Sequence, residues 1–466
     1  MTVHADIAII GTGPGGYVAA LRAAQLGAKV VCVEKKWLGG VCLNEGCVPT
    51  KALLRSAEVF ALARQAHSYG VMVDEPKLDW GRAQSRKEQV VQQLVSGVTM
   101  LLDRAGVQVL EGEAALLRPN TLSVRLSDGQ ETVVADSVII ATGSHTMRVP
   151  IPGFDGPRVI DHSGALALES LPESICVIGG GAIGLEFASL FNTLGVRVSL
   201  VEMLPRLAPL MDRAIGDGLA WTLSNRGVDV LTNTRVTGVA LTGAGCVVSM
   251  TTPEGELQVE AELVLAAIGR APSVEGLGLE VLGIRPVRAG IQVDSHMRTA
   301  VPHVYAVGDV AAEGPMLAHV ASHQGIVAVE DALGHPAAMD YAAVPSCIFS
   351  LPEAASVGLS EEEARERGYD VRVGIFALPN NGKAIAMGDT DGFVKIVSES
   401  EHGAILGLHV VGPHASDLVL EGTLAITLEA TLDEIEHTIH PHPTLGECIH
   451  EAALAARGRA LHLPRA

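Results

Sequence analysis

An α/β fold is predicted for the chain, assembled from two parallel-sheet units in tandem. Three observations predict it. A strand, a glycine-rich turn, a helical stretch and a second strand follow one another twice, opening near Ile7 and again at Ile175. Each second strand closes on an acidic residue, Glu34 or Glu202. The chain has 466 residues, 48% of them apolar and 18% charged, which is enough for several domains with large cores and argues against disorder.

The first copy runs Ile9-Ile10-Gly11-Thr12-Gly13-Pro14-Gly15-Gly16, then a helical pattern from Tyr17 to Leu26, then Lys29 to Glu34. The second runs Val177-Ile178-Gly179-Gly180-Gly181-Ala182-Ile183-Gly184, then a helix through Leu194, then Val196 to Glu202. Gly11, Gly13 and Gly16, and again Gly179, Gly181 and Gly184, fill the G-x-G-x-x-G positions. The first glycine permits the tight turn out of the strand, the second lets a pyrophosphate approach the backbone, and the third lets helix and strand pack closely. The pyrophosphate meets the positive end of the helix, and the terminal carboxylate accepts from a ribose hydroxyl. A lone glycine turn occurs in many folds. Placement between strand and helix, with an acid at the far end, makes each copy a Rossmann-like dinucleotide-binding unit. Two units imply two dinucleotides, as in a flavoprotein that exchanges hydride with a nicotinamide.

After Glu34 comes Leu38-Gly39-Gly40-Val41-Cys42-Leu43-Asn44-Glu45-Gly46-Cys47-Val48-Pro49-Thr50-Lys51. At this spacing the two thiols can bridge within one helical turn and its entry. A helix is expected to start in this loop, and a helix N-terminus lowers a thiol pKa. One thiol can take electrons from a flavin while the other attacks an external disulfide. Zinc is the rival ligand, but it needs four donors, and no second cysteine pair of suitable spacing exists, so no metal site is expected. Lys51 falls on the helical face of Cys47, placed to polarise a flavin or stabilise a thiolate, or to be a solvated surface charge. Glu186, two residues past Gly184, is a candidate ion-pair partner for it. The seven cysteines are scattered, which is no secreted disulfide framework, and Cys32 and Cys176 read as buried small hydrophobes.

Two further buried strands end in glycine turns, at Ala141-Thr142-Gly143-Ser144 and Ala267-Ile268-Gly269-Arg270, and close the two nucleotide units. Tyr305-Ala306-Val307-Gly308-Asp309 is a third strand ending in Gly-Asp; its carboxylate is either a turn residue or an acceptor for a flavin sugar-alcohol hydroxyl. The tail carries His440-Pro441-His442-Pro443-Thr444-Leu445-Gly446-Glu447-Cys448-Ile449-His450. A disulfide reductase needs a base near neutral pH, and histidine oriented by a carboxylate supplies one. Thr444 to Glu447 is equally a helix capping box, and the histidines equally a surface cluster or metal ligands.

Composition excludes other classes. Aromatics at 3% give little surface for stacking single-stranded nucleic acid, and a net charge of −20 opposes nucleic acid and anionic membranes. No apolar run approaches a membrane span, and a strand begins almost at once, so neither a signal nor a transit peptide is expected. A cytoplasmic bacterial protein, or an already processed organellar one, is expected.

Taken together, Gly-Gly-Val-Cys-Leu-Asn-x-Gly-Cys-Val-Pro-Thr-Lys, Gly-Gly-Gly-Ala-Ile-Gly-Leu-Glu, Ala-Ile-Gly-Arg-Ala-Pro, Gly-Asp-Val with Pro-Met-Leu-Ala-His319, Met387 to Lys395, and His-Pro-Thr-Leu-Gly-Glu resemble the dihydrolipoamide dehydrogenases, within the class I pyridine nucleotide-disulfide oxidoreductases. The resemblance implies an FAD-binding domain over 1–148, an NAD-binding domain over 149–271, a central domain over 272–342 that completes the FAD unit, and an α+β dimerisation domain over 343–466. It implies that Cys42 attacks the lipoyl group, that Cys47 faces the flavin, and that His442, held by Glu447, is the base donated across a homodimer. FAD would touch Gly11, Gly13, Gly16, Glu34, Lys51, Thr142, Gly143, Ser144, Asp309 and the turn Met316, Leu317, Ala318, His319. NAD would touch Gly179, Gly181, Gly184, Glu186, Glu202, Gly269 and the backbone near Val236. The partner implied is a lipoylated carrier protein or lipoyl domain, in a 2-oxoacid dehydrogenase or glycine cleavage complex. Glu202 would repel the 2′-phosphate of NADP, with Arg206 nearby as a counter-signal. Glu45 stands where many relatives have valine, and a carboxylate there is expected to raise thiol pKa values. Ser322-His323-Gln324 replaces a commonly acidic stretch, and Asn380-Asn381-Gly382-Lys383 a usual Asn-Ser-Arg.

Overall fold

Burial of apolar strands builds the framework of each half of the chain. The computed structural model describes residues 2–243, 245–335 and 337–464, and it divides into two compact units. The first gathers Met1–Ala52, Arg82–Arg148 and Gly269–Tyr341. At its centre lies β1 (Thr2–Ile10), parallel to β2 (Val30–Glu34) on one side and to the strand Gly129–Ile140 on the other. The strand Gln108–Arg118 extends the parallel sheet beyond β2, and Val304–Ala306 extends it beyond Gly129–Ile140. Strands covered on both faces read as continuous apolar runs, and Ile7, Ala8, Ile9 and Ile10 are all buried. The strand Thr121–Leu126 joins two of these strands as an antiparallel meander.

Helix α1 (Pro14–Gln25) follows β1 and buries Gly15, Gly16, Ala19, Ala20 and Ala23. That small-residue face lets the helix Ala318–Ala332 approach closely: a Cβ on Gly325 would lie 2.5 Å from the Gly15 carbonyl oxygen.

The second unit gathers Leu53–Gly81, Val149–Ile268 and Ala342–Ala466. Its parallel sheet has the order Asp229–Leu231, Arg197–Val201, Ser174–Ile178, Leu263–Ala266, Val159–Ile160. The helix Ala182–Thr193 follows its central strand, and a three-stranded antiparallel sheet spans Arg235–Leu241, Cys246–Thr252 and Gly255–Ala261. Beyond residue 342 lies a five-stranded antiparallel sheet, in the order Ser346–Ile348, Ala354–Gly358, Ile405–Val411, Phe393–Glu399, Val371–Ala377. The helices Ala415–Thr427 and Glu447–Ala456 pack on it over a core that includes Val357, Phe376, Ile396, Leu408, Val419 and Ile449. The architecture is mixed α/β. Among the described residues no helix is long and apolar enough to cross a membrane.

Candidate functional site

The two glycine turns have the same geometry. Gly11 has φ of 98° and Gly179 of 113°, a backbone only glycine adopts without strain. A Cβ on Gly11 would lie 2.4 Å from the Ala141 carbonyl oxygen, and one on Gly179 would lie 2.3 Å from that of Ala267. A Cβ on Gly16 would lie 1.9 Å from the Gly11 carbonyl oxygen, and one on Gly184 would lie 1.8 Å from that of Gly179. Gly13 and Gly181 differ from the others: no atom lies within 4 Å of a Cβ at either position. Both are N-cap residues with no side chain bonded to the first helical turn, so its N–H groups remain available to an anion. Both turns thus have the space and the donors that a pyrophosphate needs.

The two acids close back on their turns. Glu34 accepts from the Thr12 amide at 2.8 Å and its hydroxyl at 2.7 Å. Glu202 accepts from Gly180 N at 2.6 Å and Leu204 N at 2.7 Å. Arg206 donates to the Pro209 carbonyl at 3.2 Å. Val236 is buried in its strand next to a bulge.

In the first unit the segments ending in Ser144, Gly269 and Asp309 converge. Strands Ser144–Thr146 and Arg270–Pro272 pair antiparallel. Arg270 Nε donates to Ser144 Oγ at 2.7 Å, and Ser144 Oγ donates to Asp309 Oδ2 at 2.5 Å. Thr142 donates its hydroxyl to the Ser273 carbonyl at 2.7 Å, and Gly143 has φ of 68°. Leu317 is the N-cap of the helix Ala318–Ala332; Met316 precedes it, exposed, and Ala318 and His319 form its first turn. Gln324, from the stretch that departs from the usual acidic pattern, serves the interior of the unit. It is buried, accepts from Gly308 N at 2.7 Å and donates to the Tyr341 hydroxyl at 2.9 Å.

The thiols sit on two abutting helices rather than one. Helix α2 (Gly40–Glu45) carries Cys42, the chain breaks at Gly46, and α3 (Cys47–Arg64) starts on Cys47 itself. Asn44 Nδ2 donates to the Leu38 and Gly40 carbonyls at 2.9 Å each, and Thr50 Oγ1 donates to the Gly46 carbonyl at 2.7 Å, so both ends of the junction are tied. Gly39 N donates to the Thr12 carbonyl at 3.0 Å, and a Cβ on Gly40 would lie 2.7 Å from Gly13 Cα. The thiol segment therefore rests directly on the first glycine turn. Cys42 is half-buried and Cys47 exposed, both as thiols. The hydrogen bond with Cys47, then burial, push the Cys42 thiol far up, while the Lys51 charge pulls it down. Tyr17, on the first turn of α1, senses the same thiol: burial and then the Cys42 charge raise its phenol. Glu45 pairs instead with Lys36 at 3.3 Å, whose ammonium also lies 3.5 Å from the Trp37 ring centre. The thiol is thus governed by its partner, burial and Lys51 rather than by Glu45. Cys32 and Cys176 are fully buried, which pushes both up to about 12 and leaves them inert.

In the second unit, His442 Nδ1 bonds Glu447 Oε1 at 2.9 Å, and Glu447 Oε2 accepts from Thr444 N at 2.9 Å. One carboxylate thus orients the imidazole and holds the Thr444 amide, but the capping box is not formed. The helix Glu447–Ala456 begins at Glu447 with Gly446 as its N-cap, and Thr444 Oγ1 donates instead to the Pro441 carbonyl at 2.7 Å. Burial works to raise the Glu447 carboxyl, but the Thr444 amide and His442 hold it below the usual carboxylate range. The His442 side chain is 78% exposed. Buried Asn381 steadies this loop, accepting from Ala384 N at 2.9 Å and donating to the Thr444 carbonyl at 3.0 Å. His440 bonds Glu421 at 2.9 Å, a partner that sequence spacing does not suggest. Glu186, buried on the helix Ala182–Thr193, accepts from Phe349 N at 3.0 Å. Among the described residues no group of His, Cys, Asp and Glu is arranged to hold a metal ion.

Residues 5–325 match the family of pyridine nucleotide-disulphide oxidoreductases, and residues 344–453 match that family's dimerisation domain. The chain belongs to this family. The oxidoreductase is 44% identical to a dihydrolipoyl dehydrogenase of Bacillus subtilis (strain 168), an alignment that covers 99% of this chain and 100% of the relative. It is 43% identical to a dihydrolipoyl dehydrogenase of Zymomonas mobilis, with 99% and 100% covered. Among solved structures, it is similar to LpdA from Mycobacterium tuberculosis, with a TM-score of 0.89, 31% identity, and 97% of this chain and 99% of that one covered. It is also similar to the HOCl-induced flavoprotein disulfide reductase RclA of Escherichia coli, in its Cu(II) complex, at a TM-score of 0.87 and 27% identity, with 97% and 99% covered.

Proposed function

We propose that this oxidoreductase is a dihydrolipoamide dehydrogenase, taking FAD and NAD and oxidising dihydrolipoyl groups to the cyclic disulfide. The observation that carries the reading is the hydrogen-bonded pair Cys42 and Cys47 at a helix junction pressed against the first glycine turn. FAD would be held at Gly11, Gly13, Gly16, Glu34, Lys51, Thr142, Gly143, Ser144, Asp309 and residues 316–319; when bound, it carries the electron pair from the thiols to NAD. NAD would be held at Gly179, Gly181, Gly184, Glu186, Glu202, Gly269 and the backbone near Val236.

In the oxidised enzyme Cys42 and Cys47 form a disulfide. A dihydrolipoyl thiolate attacks the Cys42 sulfur and Cys47 leaves as a thiolate. His442 takes the proton of the second dihydrolipoyl thiol, which then closes on the first sulfur and releases Cys42. Lipoyl disulfide leaves and the enzyme holds two electrons as its reduced Cys42–Cys47 pair; passing them on to NAD through FAD would re-form the disulfide and yield NADH and a released proton. Glu447 fixes the imidazole orientation and stabilises the cation that forms.

The reading includes a homodimer whose partner donates His442. The dimerisation-domain match supports it, as does an exposed apolar stripe of Leu420, Leu424 and Leu428 on the helix Ala415–Thr427 and its C-terminal end, with Ile439 nearby in sequence. The substrate in the cell would be a lipoylated carrier protein of a 2-oxoacid dehydrogenase or glycine cleavage complex, and the setting cytoplasmic.

The test is turnover of dihydrolipoamide with NAD, set against NADPH with glutathione disulfide or a metal ion. Turnover only with the latter substrates would replace this reading with another disulfide or metal-ion reductase. Cys42→Ser and His442→Ala chains, each inactive, should regain part of the activity when mixed, because one of the two shared sites in each hybrid is intact. Hybrids without activity would place base and thiols on one chain.

A further inference from the structure

Three titratable side chains are buried together in the second unit, and the thiol chemistry does not use them. Asp212 is 1% exposed, Lys395 4% and His409 0%. Lys395 Nζ lies 2.9 Å from both Asp212 carboxylate oxygens and 3.0 Å from Glu361 Oε2. Asp212 also accepts from Ala214 N at 2.8 Å, capping the helix Arg213–Asn225, and from Glu361 N at 3.0 Å. His409 Nε2 stands 3.8 Å from Asp212 Oδ2 and bonds the Leu359 carbonyl at 3.1 Å, while its Nδ1 bonds the Ser356 hydroxyl at 2.6 Å. Burying such charges costs several kcal/mol per ion on the order-of-magnitude scale for protein interiors, and an apolar cluster of equal volume is often as stable. Stability alone does not account for the arrangement, so what it fixes in place is informative.

It fixes one end of a loop. Residues 203–211 run from Glu202, the acid of the second glycine turn, to Asp212. The near end is pinned by Glu202 accepting from Leu204 N. The middle rests on the turn: Ala208 N donates to the Gly180 carbonyl at 2.9 Å, and Leu207 Cδ2 lies 2.6 Å from where a Cβ on Gly180 would be. The far end is pinned through Asp212, to a lysine on the strand Phe393–Glu399. Removing the ammonium would leave the buried Asp212 carboxylate facing Glu361 without its lysine, and the loop end would have to move.

We infer that Lys395 is a positioning residue for NAD, holding the loop that borders Glu202 and Gly180 through a buried bridge to Asp212. The inference rests on the reading of Gly179–Glu202 as the NAD site. The lysine's partners are Asp212 and Glu361, so its loss is expected to act on one substrate alone. In Lys395→Met the KM for NAD should rise about tenfold, with kcat at saturating NAD, the KM for dihydrolipoamide and FAD content all within about twofold of the parent. Glu361→Gln keeps the Lys395–Asp212 bridge and should shift the KM for NAD the same way by only about two- to threefold. An unchanged KM for NAD in folded, FAD-loaded Lys395→Met overturns the inference, as does a parallel change in all parameters. If Lys395→Met does not fold, the selective NAD effect in Glu361→Gln decides instead. Glu202→Ala separates the two layers: if it leaves the KM for NAD unchanged, the site reading itself fails. If it raises that KM while Lys395→Met does not, only the positioning role is lost.

Discussion

The two glycine turns are near-duplicates in backbone but not in surroundings. Against the first are packed the thiol segment, through Gly40 on Gly13, and α1 with its close neighbour, through Gly325 on Gly15. Against the second lies the loop 203–211, in which Leu207 is buried while Met203 and Leu210 are 52% and 99% exposed. The same turn is therefore enclosed by core in one copy and bordered by a partly solvated loop in the other. A group held through every turnover suits the first setting, and a nucleotide that comes and goes suits the second. The backbone is shared, and the packing around it is where the two turns differ.

Substitutions sharpen that contrast, with the largest effects first. Gly16→Ala and Gly184→Ala each drive a Cβ into a backbone carbonyl and should cost at least about 1–3 kcal/mol. The first variant should purify without flavin absorbance, and the second should keep FAD but lose NAD turnover. Gly40→Ala adds a Cβ at φ of 61° against Gly13, and should weaken FAD binding and thiol reactivity together, read by flavin release and thiol titration. Gly13→Ala and Gly181→Ala meet no protein atom, so melting should change by less than about 1 kcal/mol. Gly13→Ala should still lose FAD affinity and Gly181→Ala should raise the KM for NAD, because the methyl occupies ligand space. An intact nucleotide affinity in either would show that the ligand does not approach that glycine.

Acid stability gives a smaller effect, confined to the second unit. Burial, with Lys395, keeps His409 below its ordinary pKa despite Asp212 and the Leu359 carbonyl. The unfolded chain takes up this proton near pH 6.5 and the folded chain does not, so the contribution is full above about pH 6.5 and shrinks as pH falls toward the depressed folded value. The melting temperature of the parent should fall between about pH 6.5 and 5 more steeply than that of His409→Gln. Smallest of all, Lys36→Ala breaks a surface pair with Glu45 worth about 0–1 kcal/mol and should leave thiol reactivity nearly unchanged.

What the sequence makes legible is what is local. Gly11 to Glu34, Gly179 to Glu202, the thiol pair and the His442–Glu447 spacing each lie within one or two adjoining elements, so residue order carries the geometry. The helix break at Gly46 is not visible there, because the run from Val41 to Cys47 has no strong breaker apart from that glycine. Glu45 misleads because its partner, Lys36, lies across a turn. The remaining features join positions far apart in the chain: Gly40 with Gly13, Gln324 with Gly308, Asn381 with Thr444, and Asp212 with Lys395. No periodicity links such pairs, and only the folded sheets bring them together.

The loop between Glu202 and Asp212 has a practical consequence. Its ends are fixed by hydrogen bonds and a buried bridge, and its interior from Met203 to Leu210 includes strongly solvated positions. That makes it an exchangeable cassette. A redesign toward the phosphorylated nicotinamide has to replace Glu202, and with it the bonds to Leu204 N and Gly180 N. The solvated positions are then free to change only if the new residue restores that pin while Leu207, Ala208 and Asp212 keep the middle and far end in place.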